Sequence, residues 1–283
     1  MPGPETGHSP GRMLARYGLA PRKRLGQSFL RDPSFLRRIV DAASLDSSDL
    51  VLEIGPGTGA LTMAIARTGA QIVAVELDNH LLAALRVEMR DVPNVMLRQG
   101  NALDFDPCSE LGQNYKLVAN IPYYITGPLI RHFLESKCPP EDMVLMVQRE
   151  VAGRITAQPG HMSLLAVSVQ YYATAERLFT VPAGAFLPPP KVDSAVIRIS
   201  PASRHSDPAA ASHFFEVVRA GFAQRRKQLV NTLGAGLKFP RGETIGMLQA
   251  AEIDPTRRAE SLSIREWERL AAAIPPDQKR AVS

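Results

Sequence analysis

Cysteine is scarce in this sequence, with two residues in a chain of 283. Cys108 and Cys138 do not follow the short spacing of zinc-ligand pairs, so the sequence indicates neither a zinc site nor a disulfide framework. Long hydrophobic runs are also missing, and none approaches the roughly 20 residues that a membrane-spanning helix needs. The first ten residues lack the apolar segment of a secretory signal. We therefore expect a metal-free protein of the reducing cytoplasm.

Other absences narrow the chemistry. No Gly-Lys-Ser/Thr sequence follows the glycine-rich segment, which excludes a Walker-type phosphate loop. The six histidines are scattered, and no His, Cys or carboxylate has the arrangement of a nucleophilic or metal-dependent hydrolase. What remains is ordinary globular composition, 45% hydrophobic and 22% charged. The length is sufficient for one large domain with a smaller companion.

Positive charge is concentrated at both ends of the chain. Residues 1–38 contain eight Lys/Arg against two acids, and residues 201–283 contain 13 against nine. Residues 39–200 are acidic, with 12 Lys/Arg against 17 acids. Basic flanks around an acidic middle are typical of phosphate contacts at the flanks with chemistry in the centre. A solvated basic surface would give the same counts and stays an alternative.

Apolar runs alternate with amphipathic stretches between residues 50 and 147. Five short apolar runs have the character of buried strands: Leu50–Ile54, Gln71–Val75, Val95–Arg98, Lys116–Ala119 and Met143–Val147. Three stretches between them have helical spacing: Ala60–Arg67, Asn79–Arg90 and Gly127–Ser136. Strands that alternate with helices predict parallel βαβ units and an α/β, doubly wound, Rossmann-like sheet.

The remaining segments predict three further parts. Residues 1–20 are rich in Gly, Pro and Ser and are expected to form a flexible tail. Leu164–Ala173 and Ala195–Ile199 resemble additional strands. Beyond a polar stretch the spacing is helical throughout, at His213–Gln224, Lys227–Leu237, Glu243–Ala251 and Ser263–Ile274, with a capping box formed by Ser263 and Glu266. We expect one domain over residues 21–204 and a small all-helical domain over 205–283.

A glycine-rich turn, Glu53–Gly59, connects a predicted strand to a predicted helix. Glycines let the backbone approach a ligand closely, and a helix start offers free amides beside it. Glu76 ends the next strand, at the offset where an acidic residue bonds a ribose diol. The spacing is E-x-G-x-G-x-G rather than the G-x-G-x-x-G of dinucleotide sites, and is typical of S-adenosylmethionine sites. A plain strand–helix turn is the alternative, and Glu76 argues against it.

Asn120-Ile121-Pro122-Tyr123 follows the fourth predicted strand. The side-chain oxygen of Asn120 and the carbonyl of Ile121 could accept both hydrogens of a base amine, which frees the nitrogen lone pair for methylation. Pro122 fixes the turn, and Tyr123 could stack on the base, worth roughly 1–3 kcal/mol. Such a base must be flipped out or single-stranded. The tetrapeptide predicts methyl transfer to a base amine, with positioning supplying most of the rate.

Six segments in order resemble the KsgA (RsmA) family of dimethyladenosine transferases: Lys23–Leu30, Glu53–Gly59 with Glu76, Gly100–Asp104, Asn120–Tyr123, Phe186–Ser194 and Phe222–Lys227. The resemblance implies an S-adenosylmethionine-dependent enzyme that dimethylates two adjacent adenines near the 3′ end of 16S rRNA in immature small ribosomal subunits. With the glycine loop, the expected cofactor contacts are Ser28, Leu30, Gly55, Gly57, Glu76, Asn101 and Asn120. The expected target-base site comprises Asn120, Pro122 and Tyr123, with Phe186 as a second aromatic wall.

Two positions depart from the family pattern. Asn101 stands where the family usually has Asp, and Ser28 where Asn is common. An uncharged amide oxygen accepts a weaker hydrogen bond than a carboxylate, so we expect slightly looser cofactor binding. Without the resemblance, Gly100-Asn101 would be interpreted as a common turn pair.

Two basic clusters are expected to hold RNA phosphates, namely Arg22-Lys23-Arg24 and Arg225-Arg226-Lys227. Nothing in the sequence requires a dimer, and we expect a monomer. Three other functions share parts of this pattern: an Erm-type methyltransferase of large-subunit RNA, a mainly non-catalytic ribosome assembly factor, and a DNA amino-methyltransferase. The basic helical tail and the absence of a separate sequence-reading domain argue against the DNA enzyme.

Overall fold

The computed structural model describes residues 9–202 and 207–276. The chain forms two compact units. The first unit contains the described residues up to Ala152 together with Thr174–Pro201, and the second contains Gly153–Ala173 and the described residues from Ala202 onward. A single boundary near residue 205 therefore does not describe the division, because the chain enters the second unit, returns to the first and leaves it again.

The elements follow one another along the chain with short connections. In order they are α1 (Pro10–Arg16), β1 (Phe29–Leu30), α2 (Pro33–Ala43), β2 (Leu50–Ile54), α3 (Ala60–Ala66), β3 (Gln71–Glu76), α4 (Asn79–Glu88), β4 (Val95–Gln99), α5 (Pro107–Glu110), β5 (Lys116–Asn120), α6 (Thr126–Leu134), β6 (Asp142–Gln148), α7 (Arg149–Ile155), α8 (Leu164–Gln170), β7 (Ala173–Val181), β8 (Phe186–Leu187), β9 (Ser194–Pro201), α9 (Pro208–Phe222), α10 (Leu229–Leu237), α11 (Arg241–Ala250) and α12 (Ile264–Ala273). No described helix is long and apolar enough to cross a membrane.

The main sheet has the strand order β4-β3-β2-β5-β6-β9-β7. The five strands from β4 to β6 are parallel, and β9 joins β6 in the antiparallel direction. The prediction of a doubly wound parallel sheet is confirmed, and all five predicted strands lie within it. Because chain order reverses between β2 and β5, the carboxyl ends of these two strands open onto a crevice, the usual ligand site of such sheets.

The central strands are buried on both faces, which explains their nearly continuous apolar sequences. Val51, Leu52, Leu117 and Val118 have no measurable exposure. Glu53 breaks this pattern, because its side chain is only 1% exposed although it carries a carboxyl group. This residue is the last but one of β2, which runs directly into the glycine-rich turn.

The predicted flexible tail over residues 1–20 was wrong for its second half. Residues 1–8 lie outside the described part, but Pro10–Arg16 form helix α1, whose first residue is the proline that helix starts tolerate. Met13 and Leu14 are buried at 4% and 5% exposure in a cluster with residues of α4. A tertiary contact therefore orders a segment whose composition alone indicates disorder.

The prediction of a strand over Leu164–Ala173 was also wrong. Residues 164–170 form α8, and the Ser163 side chain accepts a hydrogen bond from the Ala166 amide at 3.2 Å to cap its start. Ala166 and Val167 are both fully buried in the core of the second unit. A helix that is surrounded by apolar neighbours has no polar face, so its sequence cannot be distinguished from that of a buried strand.

The two cysteines form a disulfide, contrary to the sequence prediction. Cys108 of α5 and Cys138, which follows α6, have Cα atoms 5.2 Å apart and bonded sulfur atoms. Their separation of 30 residues gives no spacing signal, and only the return of the chain after α6 brings them together. The cysteine content therefore no longer supports the predicted cytoplasmic location.

Four helices of the second unit match the predicted helical tail. The capping box at the start of α12 is present, with the Ser263 side chain bound to the Glu266 amide and the Glu266 carboxylate bound to the Ser263 amide. Hydrogen bonding from Arg257 holds the pKa of Glu266 at about 2. Trp267 is fully buried and stacks on Phe222 with ring centroids 5.5 Å apart. It is therefore a core residue and does not form part of an exposed platform.

Candidate active site

A cleft opens where β2, β3, β4 and β5 end, within the first unit. The structure brings all seven predicted cofactor residues to its lining: Ser28, Leu30, Gly55, Gly57, Glu76, Asn101 and Asn120. Pro122 and Tyr123 of the predicted target-base site line it as well. Residues from the segment around β1 and from four strand ends therefore share one cleft, and their individual roles stay predictions.

The glycine-rich turn requires glycine at its centre. Gly55, Gly57 and Gly59 have φ angles of 68°, 60° and 81°, in the left-handed region that other residues resist. A Cβ added to Gly57 would lie 2.9 Å from the Phe29 ring, closer than carbon atoms approach. The turn thus combines a left-handed backbone with direct packing against β1.

Glu76 is fixed by backbone amides at the edge of this turn. Its Oε2 accepts a hydrogen bond from Gly57 N at 3.1 Å, and its Oε1 accepts one from Asp78 N at 2.8 Å. Burial raises the pKa of the carboxyl group, and the two amides oppose that rise. Each carboxylate oxygen has a further lone pair, so both remain able to accept from a ribose diol.

Glu53 is a site residue that was not predicted from the sequence, although it begins the glycine-rich turn. It lines the cleft, and its Oε2 has no hydrogen-bond partner within the described residues. Burial raises the pKa of this carboxyl group to about 8, and the charge of Glu76 adds to the rise while the hydroxyl of Thr62 opposes it. The acidic residue that begins the E-x-G-x-G-x-G pattern was the available signal.

The charge of the cleft favours a cationic ligand over a phosphate. Among the described residues that line it, Glu53 and Glu76 are the ionisable acids, and none is Lys, Arg or His. A pyrophosphate would meet two carboxyl groups without a counter-charge, whereas a sulfonium cation is complemented by them. The cleft therefore fits S-adenosylmethionine, with Glu76 for the ribose and the turn at Gly55 and Gly57 beside the amino-acid part.

We expect Glu53→Gln to change how stability depends on pH. In the folded protein the pKa of about 8 lies above the ordinary value of 4.5, so the carboxyl contributes stability at low pH that is lost as the pH rises through about 8. Glutamine does not titrate, so the free energy of unfolding of the variant should increase relative to that of the wild type as the pH rises from about 5 to 8. Urea denaturation across this range measures the difference, and parallel curves for the two proteins would contradict the expectation.

Asn120 is oriented by the segment at the start of the chain. Its Nδ2 donates a hydrogen bond to the Ser28 carbonyl oxygen at 3.2 Å. Because a carbonyl can only accept, the amide must turn its nitrogen to Ser28 and keeps its oxygen available as an acceptor. The Ser28 hydroxyl in turn donates to the Pro188 carbonyl at 2.6 Å. Ser28 thus supports Asn120 through its backbone while its side chain is engaged outside the cofactor site.

Tyr123 contacts Ser194, the last residue of the Phe186–Ser194 segment. Its hydroxyl lies 2.8 Å from the Ser194 hydroxyl, and the Ser194 side chain is buried. Burial raises the pKa of Tyr123, and the contact with Ser194 opposes the rise, so the phenol is neutral near pH 7. Tyr124 also lines the cleft and is 57% exposed. Sequence reasoning missed both Ser194 and Tyr124.

Phe186 is placed differently from the prediction. It pairs with Leu30 where β8 meets β1, and its side chain is 1% exposed within the core of the first unit. It does not line the cleft in this structure. As a core residue its ring has no face free for stacking, so Phe186 supports β1 instead of forming a second aromatic wall. The sequence could not distinguish these roles, because both require an aromatic ring at this position.

Asn101 lines the cleft but is engaged in a turn. Its Oδ1 accepts from Leu103 N at 3.2 Å and its Nδ2 donates to Asp104 Oδ2 at 3.0 Å. A second lone pair on Oδ1 stays available for the amino group of an adenine. Both functions that the sequence analysis considered are therefore compatible with this geometry, and the expected loosening of cofactor binding stays a prediction.

Arg22 has a partner inside the protein, and its predicted contact with an RNA phosphate stays a prediction. Its guanidinium lies 3.2 Å from the carboxylate of Asp78, whose side chain is 2% exposed. Gln27 Nε2 donates to the same carboxylate at 2.9 Å. Burial acts against ionisation, but these hydrogen bonds and the Arg22 charge hold the pKa of Asp78 below its usual range. Arg22 and Gln27 therefore attach the segment before β1 to the residues after Glu76.

The other predicted phosphate ligands are exposed. Lys23 and Arg24 lie in a short 3₁₀ turn of the first unit. Arg225, Arg226 and Lys227 lie in the connection between α9 and α10, in the second unit. No described carboxylate forms an ion pair with any of these five residues, so their charges are available to an external anion. Contact with RNA stays a prediction.

Comparisons with known proteins agree on one family. The model of the ribosomal RNA adenine dimethylase family matches residues 18–274. The protein named Ribosomal RNA small subunit methyltransferase A from Dehalococcoides mccartyi strain CBDB1 is 46% identical over 261 residues, which cover 91% of this chain and 90% of the relative. The protein of the same name from Geobacillus thermodenitrificans strain NG80-2 is 42% identical, and the match covers 95% of this chain and 97% of the relative.

Two solved structures resemble this fold over most of its length. A dimethyladenosine transferase from Plasmodium falciparum matches with a TM-score of 0.75 at 25% identity, covering 86% of this chain and 95% of that one. The 23S rRNA methyltransferase ErmE matches with a TM-score of 0.70 at 28% identity, covering 87% of this chain and 98% of that one. The fold is thus shared by a dimethyladenosine transferase and by a 23S rRNA methyltransferase.

Proposed function

The chain belongs to the ribosomal RNA adenine dimethylase family, and from this membership we propose its substrate: two adjacent adenines near the 3′ end of 16S rRNA in immature small ribosomal subunits. It is an S-adenosylmethionine-dependent adenine dimethyltransferase. We further propose that it acts as a monomer in the cytoplasm, where ribosomal subunits are assembled.

The observation that carries the proposal is the fixed amide of Asn120. It stands at the end of β5, in the same cleft as the glycine turn and Glu76. The hydrogen bond to the Ser28 carbonyl orients its oxygen before any substrate arrives. A preoriented acceptor beside the pocket of a cationic cofactor suits methylation of a weakly nucleophilic amine, because orientation then costs nothing during the reaction.

The residues of the cleft have separate roles in the proposed reaction. Bound S-adenosylmethionine supplies a methyl group on a positively charged sulfur. Asn120 Oδ1 and the Ile121 carbonyl accept the two hydrogens of the adenine N6 amine and draw its lone pair out of conjugation. Pro122 fixes the backbone between them, and Tyr123 offers its neutral ring to the base. After the first methylation one N–H remains, so one acceptor still orients the amine for the second.

An Erm-type enzyme of the large subunit is the nearest alternative, since ErmE shares the fold. The two relatives named for the small subunit are more similar, at 46% and 42% identity against 28% for ErmE. The test is labelled methyl transfer to immature small subunits and, in parallel, to naked 23S rRNA. Dimethyladenosine in the small-subunit RNA alone supports the proposal, and label in the 23S rRNA overturns it. Tight subunit binding without label would leave a non-catalytic assembly factor.

We expect the double reversal Arg225→Glu/Arg226→Glu to weaken RNA binding about 10- to 100-fold and to reduce its salt dependence, since phosphate contacts release counterions. Cofactor affinity should not change, because neither residue lines the cleft. Filter binding to small-subunit RNA at several salt concentrations measures both effects.

The matched control is Arg86→Glu/Arg90→Glu, which changes the same charge at two exposed positions in and just after α4. If both double variants lose affinity equally, the effect is one of net charge, and the predicted contact at Arg225 and Arg226 is wrong.

A further inference from the structure

Two carboxyl groups line the cleft, but they differ in how they are engaged. Glu76 accepts one hydrogen bond at each carboxylate oxygen, from the Gly57 amide at Oε2 and from the Asp78 amide at Oε1. Glu53 is equally buried, yet its Oε2 has no partner within the described residues. An unpaired carboxyl group in an apolar environment is costly when ionised. The Glu53 carboxylate is therefore stable only when a ligand bound in the cleft compensates its charge.

The proposed reaction changes the charge of the cleft contents by one unit. During methyl transfer the S–CH3 bond breaks with its electron pair left on sulfur, an N–CH3 bond forms with the nitrogen lone pair, and the amine releases one proton to water. The donor S-adenosylmethionine carries a sulfonium cation, whereas the product S-adenosylhomocysteine carries a neutral thioether. Ribose, adenine and the amino-acid part are common to both. A group that distinguishes the two must respond to the charge on sulfur or to the methyl group itself.

We propose, on the basis of the proposed function, that Glu53 is the residue by which the cleft prefers the sulfonium donor over the neutral thioether product. In the empty cleft and in the product complex its carboxyl is protonated. Binding of the donor favours the carboxylate, so Glu53 gives up its proton as the cation enters. Loss of the positive charge during methyl transfer removes that stabilisation, which weakens the hold on the product and favours its release.

The surroundings of Glu53 leave the ligand as the main source of positive charge. Ala74 of β3 and Val118 of β5 flank it in the sheet, and Thr62 of α3 contributes a hydroxyl. Glu76 contributes a negative charge, which opposes ionisation. No Lys, Arg or His belongs to the described lining of the cleft. With the pKa at about 8 in the empty protein, a cationic ligand should lower it into the physiological range.

The test measures binding of S-adenosylmethionine and of S-adenosylhomocysteine, without RNA, by calorimetry between about pH 6.5 and 9. In the wild type, the ratio of donor affinity to product affinity should rise as the pH rises. Donor binding should also release protons between about pH 6.5 and 8. In Glu53→Gln the preference for the donor should fall by about ten-fold, as expected for the loss of one buried charge contact. In this variant the preference for the donor should no longer depend on pH, and donor binding should no longer release protons. Comparing the two proteins cancels the titration of the ligands' own amino groups.

Glu76→Gln is the matched control, because it removes the other carboxyl group of the cleft. It should weaken both ligands by the same factor, since the ribose is common to them. If Glu53→Gln also weakens both ligands equally, Glu53 acts on a shared part of the ligand and the inference is wrong. If neither ligand binds the wild type, the proposed function itself fails. Thermal unfolding of each variant at about pH 6.5 verifies that it is folded.

Discussion

Asn120→Ala lowers the rate of methyl transfer to small-subunit RNA by about 10³-fold, the largest effect that we expect from one side chain. Removal of a preoriented polar group from a transition-state site costs roughly 10²–10³ in rate. Here the variant also loses the hydrogen bond from Nδ2 to the Ser28 carbonyl, which holds the segment beside the cleft. Single-turnover transfer from labelled S-adenosylmethionine measures the chemical step without product release.

Cofactor binding separates this loss of chemistry from a loss of structure. We expect the dissociation constant of S-adenosylmethionine to change by less than about ten-fold, because the glycine turn and Glu76 are untouched. If affinity falls as far as the rate, Asn120 acts mainly in cofactor binding. If the rate falls by less than about ten-fold with unchanged affinity, the amide does not orient the target amine, and the mechanism above is wrong.

Gly57→Ala should weaken S-adenosylmethionine binding by at least about 100-fold. The added Cβ would lie 2.9 Å from the Phe29 ring, and the residue has a φ of 60°. Relief of this contact requires movement either of β1, which carries Leu30 of the cleft lining, or of the turn whose amide binds Glu76. Both movements deform the ribose and amino-acid parts of the pocket. Isothermal titration of the cofactor measures the loss.

Gly112→Ala is the control for backbone strain. Gly112 has a φ of 76° and nothing within 4 Å of an added Cβ, so alanine there carries only the cost of the left-handed backbone, about 1–2 kcal/mol. It should lower the melting temperature while leaving cofactor affinity unchanged. If Gly57→Ala and Gly112→Ala have the same effect on affinity, the contact with Phe29 does not matter, and strain alone accounts for the loss.

The sheet and the position of Asn120 could be predicted because local patterns determine both. Buried parallel strands are largely apolar, and β2, β3, β5 and β6 each contain a run of at least three apolar residues. Asn120 follows directly from such a strand, so its place at a carboxyl end required only the strand itself. The same reasoning placed Glu76 beside the glycine turn.

The residues that could not be predicted depend on contacts between distant parts of the chain. Arg22 was assigned to RNA because its neighbours are basic, and its pairing with Asp78, 56 residues away, could not be read from the sequence. Phe186 was assigned to the target base, but pairing with Leu30 places it in the core. Cys108 and Cys138 are 30 residues apart and are brought together by the return of the chain after α6. Burial of one carboxyl oxygen of Glu53 without a partner is likewise visible only in the folded chain.

The most direct test of the central claim is the site and extent of methylation in immature small subunits incubated with the protein and S-adenosylmethionine. Nuclease fragments of the 16S rRNA would be analysed by mass spectrometry, with Asn120→Ala in parallel. We predict two adjacent dimethyladenosines in a single fragment near the 3′ end, absent with the variant. Methylation elsewhere in the RNA, or modification that stops at one methyl group on each adenine, would contradict the account.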